Sequence, residues 1–273
     1  MAELFQSMTI SDADFDQMVQ FIQKNYGIDL SKKRQFIISR LSHTLKAQGF
    51  HDFSEFLERL TSQKDPADLE MVINKLTTNY TYFMREKEHF TFLQTHILPE
   101  LVQKHQKTRS LAIWSAGCSS GEEPYTLSIY LKEFFGTHAA SWDTRLLATD
   151  ISMQAMAKAR AGVYEKPADI PDNWLRRYFV ANPDGTYTVS KALKDNVLFR
   201  PFNLMAPINF RQKFDVIFCR NVMIYFNQAT RDALVRRFYD ALLPGGYLFI
   251  SHSESLGQTP LFRMVASAVY QKI

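Results

Sequence analysis

The residues best suited to chemistry lie in one short stretch, Ile113-Trp114-Ser115-Ala116-Gly117-Cys118-Ser119-Ser120-Gly121-Glu122-Glu123-Pro124. A β-prone run enters a loop of small residues there and leaves it as a helix. Gly117 and Gly121 let the backbone turn sharply and let a ligand approach closely. In an open α/β sheet, the carboxyl end of the first strand is where nucleotide-like ligands bind. An ordinary tight turn with a glycine at each end has the same pattern, so the loop alone leaves both readings open.

Asp150 ends the next strand, 29 positions after Gly121, where a carboxylate can accept from both hydroxyls of a ribose. Loop and acid together favour an adenosine ligand. The glycines follow GxxxG rather than GxGxxG, and Glu122 and Glu123 stand where a pyrophosphate would need positive potential. Two carboxylates suit a cofactor with a cationic amine or sulfonium, which points to S-adenosyl-L-methionine over a nicotinamide dinucleotide. No GxxxxGK[ST] run is present, which removes the P-loop option.

The elements that position these residues follow from hydrophobic period. Residues 11–77 show the helical one throughout. Phe15, Met18, Val19, Ile22 and Tyr26 form one stripe behind a Ser11 N-cap with Asp14 three residues on, and Gly27 ends that helix. Ser31 is expected to open a second, with Ile38, Leu41 and Leu45 inward and Gly49 as its stop. Phe53, Phe56, Leu57 and Leu60 mark a third, and Pro66 begins a fourth carrying Leu69, Val72, Ile73 and Leu76. Beyond residue 109, short β-prone runs (111–115, 145–149, 214–219 and 247–251) alternate with helical spacing at 123–135, 152–160 and 228–242, which implies a parallel sheet covered on both faces. Residues 262–273 read as an antiparallel addition. Tyr178–Val180, the Asn182–Gly185 turn, Tyr187–Val189 and Val197–Phe199 read as a small antiparallel meander inserted in that domain. The expected division is a helical domain at 1–80, a linker and lead-in helix at 81–109, and an α/β domain at 110–273 with its β-insertion at about 165–200.

At 273 residues, 46% apolar and 22% charged, the chain can build a core, and a disordered chain is excluded. Cys118 and Cys219 stand in no CxxC or Cys/His cluster, which argues against a disulfide scaffold and against a structural metal; no metal is expected, and a reduced, cytoplasmic setting fits. The start is polar and acidic, unlike a signal peptide, and no run reaches the ~20 apolar residues of a membrane span. A net charge of +4 is below what a strong nucleic-acid binder carries.

Five separated runs carry a resemblance: Thr77-Thr78-Asn79-Tyr80-Thr81-Tyr82-Phe83-Met84-Arg85-Glu86, Trp114 through Tyr125, Ala148-Thr149-Asp150-Ile151, Phe218-Cys219-Arg220-Asn221-Val222-Met223-Ile224-Tyr225-Phe226, and His252-Ser253-Glu254. In this order they resemble the chemoreceptor glutamate methyltransferase (CheR) family across nearly the whole chain. The resemblance implies an all-α four-helix N-terminal domain followed by a Rossmann-like class I methyltransferase domain with a small inserted antiparallel β-subdomain. It implies methyl transfer from S-adenosyl-L-methionine to glutamate side chains of chemoreceptors, with S-adenosyl-L-homocysteine as product. Carried over position by position, Asn79, Thr81 and Arg85 would close over the cofactor, Gly117 would belong to its site, and Glu123 would meet its methionine end, although sequence does not separate Glu123 from Glu122. Asp150 would hold the ribose, Asn203 and Leu204 would line the adenine, and Arg220 and Asn221 would complete the pocket. Arg85 and Tyr225 match positions near the transferred methyl.

The expected partner is the cytoplasmic signalling helices of chemoreceptors. Between Ser31 and Gln48 there are five basic residues and no acidic one. Lys32, Lys33, Arg40 and Lys46, with His43, fall away from the apolar stripe and form a docking strip for an acidic helical bundle; the plain alternative is a solvated helix face. The meander's short turn departs from the enteric members of the family, so a tail-independent enzyme is favoured over one tethered to a receptor's C-terminal peptide, and a monomer is expected. A nucleic-acid methyltransferase would carry [DN]PP[YFW] where Cys219-Arg220-Asn221-Val222-Met223 stands. The remaining alternative is a non-catalytic signalling module that keeps the fold and binds receptors without turnover.

Overall fold

A computed structural model describes residues 8–62, 66–77 and 79–273. The first seven residues and Thr78 of the first motif lie outside the described residues. The chain divides into two units: the described residues up to Thr77 together with Tyr225–Thr230, and Asn79–Ile224 together with Arg231–Ile273.

The first unit contains α1 (Asp12–Tyr26), α2 (Arg34–Ala47), α3 (Phe53–Thr61) and α4 (Pro66–Leu76), with α1 against α3 and α2 against α4. Ser11 caps α1 by accepting the Asp14 N–H at 3.1 Å, and Gly27 ends it at φ 73°. Asp52 caps α3 through the Glu55 N–H at 2.9 Å. Two expectations for α2 need correcting. Ser31 does not open the helix, because its N–H and hydroxyl both donate to Asp29 Oδ1, at 3.0 and 2.6 Å, and hold it in a turn. With the start delayed to Arg34, the inward row is Ile37, Leu41 and Leu45, and Ile38 is only half-buried. The returning segment joins this unit where Ile28 bridges Phe226 and the Asp29 N–H donates to the Tyr225 carbonyl at 2.8 Å.

The second unit opens with α5 (Lys87–Phe92) and α6 (Leu98–Lys104), joined by a π-helical turn at Leu93–Ile97. Then follow β1 (Ile113–Ala116), α7 (Glu122–Phe135), β2 (Leu146–Asp150), α8 (Met153–Ala161), β3 (Val163–Tyr164), α9 (Asp172–Tyr178), β4 (Phe179–Ala181), β5 (Tyr187–Val189) and α10 (Lys191–Lys194). The chain continues through β6 (Val197–Pro201), β7 (Phe214–Phe218), α11 (Gln228–Ala241, in this unit from Arg231), β8 (Leu242–Phe249), β9 (Phe262–Ala266) and β10 (Val269–Lys272). The main sheet runs β6-β2-β1-β7-β8-β10-β9, parallel from β6 to β8 and antiparallel at the final hairpin. Every residue of β1 and β7 is buried, as central strands covered on both faces must be. Trp114 anchors β1, its ring among Phe202, Phe210, Phe214 and Phe238 and its Nε1–H on Thr149 Oγ1 at 2.9 Å.

The small sheet runs β3-β5-β4, all antiparallel. This corrects the expected meander: Val197–Phe199 does not belong to it but forms β6, pairing parallel with β2 at the edge of the main sheet. The third small strand is Val163-Tyr164. An isolated five-residue β-prone run fits either sheet, and only long-range pairing decides. Among the described residues, no helix is long and apolar enough to cross a membrane.

Candidate active site

The glycine loop leaves the carboxyl end of β1 with its backbone held by the neighbouring strand: the Gly117 and Cys118 N–H groups both donate to the Thr149 carbonyl, at 2.8 and 2.9 Å. Gly117 has φ 87°, and a Cβ there would lie 2.4 Å from Val222 Cγ2. Gly121 has φ 96°, and a Cβ there would lie 2.9 Å from Ala159 Cβ. Both positions therefore demand glycine for conformation and for space. Cys118 is buried between them, its thiol pushed up by burial and then by the Asp150 and Glu123 carboxylates.

Asp150 binds the loop to the next helix. Its Oδ2 accepts the Ser119 N–H at 2.7 Å and its Oδ1 the Ser152 N–H at 2.9 Å. Burial pushes this carboxyl up, against the lowering effect of those N–H groups. Each oxygen keeps a lone pair for a further donor. The Asp150 carbonyl accepts the Phe202 N–H at 3.0 Å, which sets Asn203 and Leu204 directly beyond the end of β6.

The two glutamates face different ways. Glu122 accepts from the Ser120 hydroxyl at 2.7 Å and answers electrostatically to Lys158. Glu123 accepts from the Ser115 hydroxyl at 2.7 Å and lies 3.6 Å from Arg220 Nη1. Burial pushes Glu123 up more than Arg220 pulls it down. Arg220 follows β7, is itself buried, and donates from Nη2 to the Arg85 carbonyl. Its Nε lies 3.4 Å from Glu86 Oε2, and neither Nε nor Nη1 has a hydrogen-bond partner. Asn221, at φ 60°, donates from Nδ2 to Ser251 Oγ at 2.6 Å, and Glu254 accepts its N–H at 3.3 Å.

The segment 79–86 carries two non-glycine residues at positive φ, Met84 at 64° and Glu86 at 55°. The Asn79 carbonyl accepts the Ser119 hydroxyl at 3.0 Å, and Arg85 Nη1 donates to the Tyr80 carbonyl at 2.7 Å. The Arg85 guanidinium stands 5.7 and 5.9 Å from the Tyr80 and Tyr82 ring centres. The structure thus joins Asn79, Gly117 and Asp150 around the loop, with Asn203 and Leu204 beyond β6, and joins Arg85, Glu123 and Arg220 through the buried guanidinium, with Asn221 linked to it through Glu86. Thr81 lies half-buried in the same segment. Tyr225 belongs to the first unit. Ser115, Ser119, Ser152, Ser251, Glu86 and Glu254 enter this network without having been singled out as site residues; Ser115, Ser119, Glu86 and Glu254 stood inside the quoted runs, and Ser152 and Ser251 just outside them.

A family model described as "CheR methyltransferase, SAM binding domain" matches residues 79–271, and one described as "CheR methyltransferase, all-alpha domain" matches residues 13–77. The chain belongs to the CheR methyltransferase family. The chain is 38% identical over 272 residues to a chemotaxis protein methyltransferase of Borreliella burgdorferi, covering 97% of this chain and 96% of that protein. It is 37% identical over 259 residues to chemotaxis protein methyltransferase 1 of Pseudomonas aeruginosa, covering 93% and 94% of the two. It is 36% identical over 260 residues to the Escherichia coli chemotaxis protein methyltransferase, covering 93% and 88%. The methyl donor of a CheR methyltransferase is S-adenosylmethionine, and the site fits it chemically. Unpartnered guanidinium N–H groups on Arg220 suit an amino-acid carboxylate, Glu123 suits its ammonium, and the loop has no room for a side chain at Gly117.

Proposed function

We propose that this CheR methyltransferase esterifies glutamate side chains on the cytoplasmic helices of chemoreceptors, with S-adenosylmethionine as methyl donor. The observation that carries the reading is the buried Arg220–Glu123 pair at the mouth of a glycine loop closed by Asp150, within a segment matched by the SAM-binding family model. Arg220 and Glu123 would hold the two ends of the cofactor's amino acid, Asp150 the ribose, and Asn203 with Leu204 the adenine; Asn79 and Thr81 would cover it. When bound, the cofactor supplies a methyl group on a cationic sulfur.

The chain's own contribution is positioning. A glutamate side chain has a pKa of about 4.3, so it is already a nucleophile at neutral pH and no general base is required. Arg85 is proposed to aim that carboxylate by charge-assisted hydrogen bonds. The carbonyl of Tyr80 and the two flanking rings restrict the Arg85 side chain, which supports this role.

The basic strip is proposed to receive the receptor. Lys32, Lys33, Arg40 and Lys46 are all exposed. The fifth base, Arg34, turns inward instead, paired with Asp12 at 2.5 Å and lying 4.4 Å from the Phe15 ring centre. The small sheet has edge strands of two and three residues, β3 and β4, which offer few ladder bonds to an added peptide. That supports action without a receptor tail. The test is incubation with labelled S-adenosylmethionine and receptor cytoplasmic fragments. Base-labile methyl esters on glutamate are expected, and label that survives base, or no transfer, overturns the reading.

A further inference from the structure

Glu86, His89 and His252 come together in the second unit although 163 residues separate the two imidazoles in sequence. One ligand nitrogen of each histidine and a carboxylate oxygen of Glu86 lie within 4.8 Å of one another. His89 is 2% exposed. Its Nε2 is 3.2 Å from the Ser267 carbonyl, which can only accept, so Nε2 carries the hydrogen and Nδ1 presents a bare lone pair. That lone pair faces Glu86 Oε2 at 3.4 Å, and neither atom has a hydrogen-bond partner. Two acceptors held this close in a buried place call for a cation between them.

We propose that Glu86, His89 and His252 bind one divalent cation of the zinc class. Ser267 orients both rings, its carbonyl on His89 Nε2 and its hydroxyl 3.1 Å from His252 Nδ1, as the outer partners of ligating histidines do. Glu86 Oε1 is occupied by the Ser251 hydroxyl at 3.0 Å and the Asn221 amide at 3.4 Å, which leaves Oε2 to turn toward the imidazoles. Arg220 competes for Oε2, but it divides its charge between Glu86 at 3.4 Å and Glu123 at 3.6 Å. Two imidazoles and one carboxylate suit zinc, cobalt or nickel, whereas magnesium and calcium require oxygen ligands. The exposed His252 gives the ion a way in and leaves room for water on the metal. No sequence spacing announces the site, because the donors sit on α5, just before it, and on the β8–β9 connection.

The test is equilibrium dialysis of the full chain, stripped with chelator, against zinc alone, with a parallel cobalt titration read by visible absorption. Neither methyl donor nor receptor is present, so the result is independent of the proposed function. One zinc per chain is expected, with no magnesium bound and a cobalt spectrum of low coordination number. His252→Ala, an exposed change checked for folding by circular dichroism, should weaken zinc binding by more than the ~10–100-fold that loss of an outer partner of a ligand brings. Absence of stoichiometric zinc, or equal affinity in His252→Ala, overturns the proposal and leaves a water shared by the two acceptors as their partner.

Discussion

Replacing Gly117 with alanine separates two demands that the loop makes at one position. The backbone there has φ 87°, outside what an L side chain adopts comfortably, and a Cβ would sit 2.4 Å from Val222 Cγ2. The conformational part costs about 1–2 kcal/mol, and forcing a methyl into filled space costs a further ~1–3 kcal/mol, so Gly117→Ala should lose about 2–5 kcal/mol. Relief by movement would pull the loop off the Thr149 carbonyl, which holds both the Gly117 and Cys118 N–H groups, so cofactor affinity should fall as well. Val222→Ala removes the clashing methyl and leaves the backbone term. In the double variant, about 1–3 kcal/mol relative to the sum of the singles should return. Denaturant unfolding gives the stabilities, with an unchanged slope as the sign that the folded and unfolded states are otherwise the same. Calorimetry gives the affinity. A Gly117→Ala change within ~0.5 kcal/mol of the parent, or singles that simply add, would refute the reasoning.

Glu123→Gln removes a charge-assisted contact and should weaken S-adenosylmethionine binding by about 1.5–3 kcal/mol, measured by calorimetry. Burial holds the Glu123 carboxyl above the usual carboxylate range, so binding by the parent should decline as pH falls, from a higher pH than an exposed carboxylate would give, and the glutamine variant should lack this step. Arg85→Ala should lower kcat/KM for receptor methylation by about 10–100-fold, on the scale of one charged hydrogen bond, and Arg85→Lys should recover little because the planar fork is lost; unchanged kinetics would remove Arg85 from the site. Lys33→Glu with Arg40→Glu should raise the receptor KM several-fold, on the ~0.2–1 kcal/mol scale of exposed pairs. Added salt should shrink that difference, and cofactor affinity should stay constant.

Local chemistry made much of this molecule readable in advance. The Ser11 cap, the Gly27 stop and the apolar stripe of α1 depend on residues at most eleven positions apart; cap and stop appear as expected, and Phe15, Met18, Val19 and Ile22 are buried while Tyr26 is only half-buried. The same holds for the strand, loop and helix around Gly117 and Gly121. Failures occurred where a nearby or distant partner changed the outcome. Asp29 captured Ser31 and shifted the start of α2, and β2 captured Val197–Phe199 from the small sheet. The separation of Glu122 from Glu123 needed side-chain direction: adjacent helical residues point about 100° apart, one toward Ser120 and Lys158 and the other toward Ser115 and Arg220. The Glu86–Asn221–Ser251 cluster spans contacts of 135 and 165 residues, a range at which no spacing rule operates.

Cys118 gives the glycine loop a property of another kind. Its thiol is buried inside the loop and held in the unreactive protonated form. An alkylating reagent can reach it only in those moments when the loop lifts away from β2. The modification rate therefore counts openings, and the free energy of opening follows from it where reclosing is fast. A ligand that seals the loop should slow the count in proportion to its occupancy. The molecule thus carries its own unlabelled stopwatch for the breathing of its methyl-donor site, set in its backbone between the two glycines.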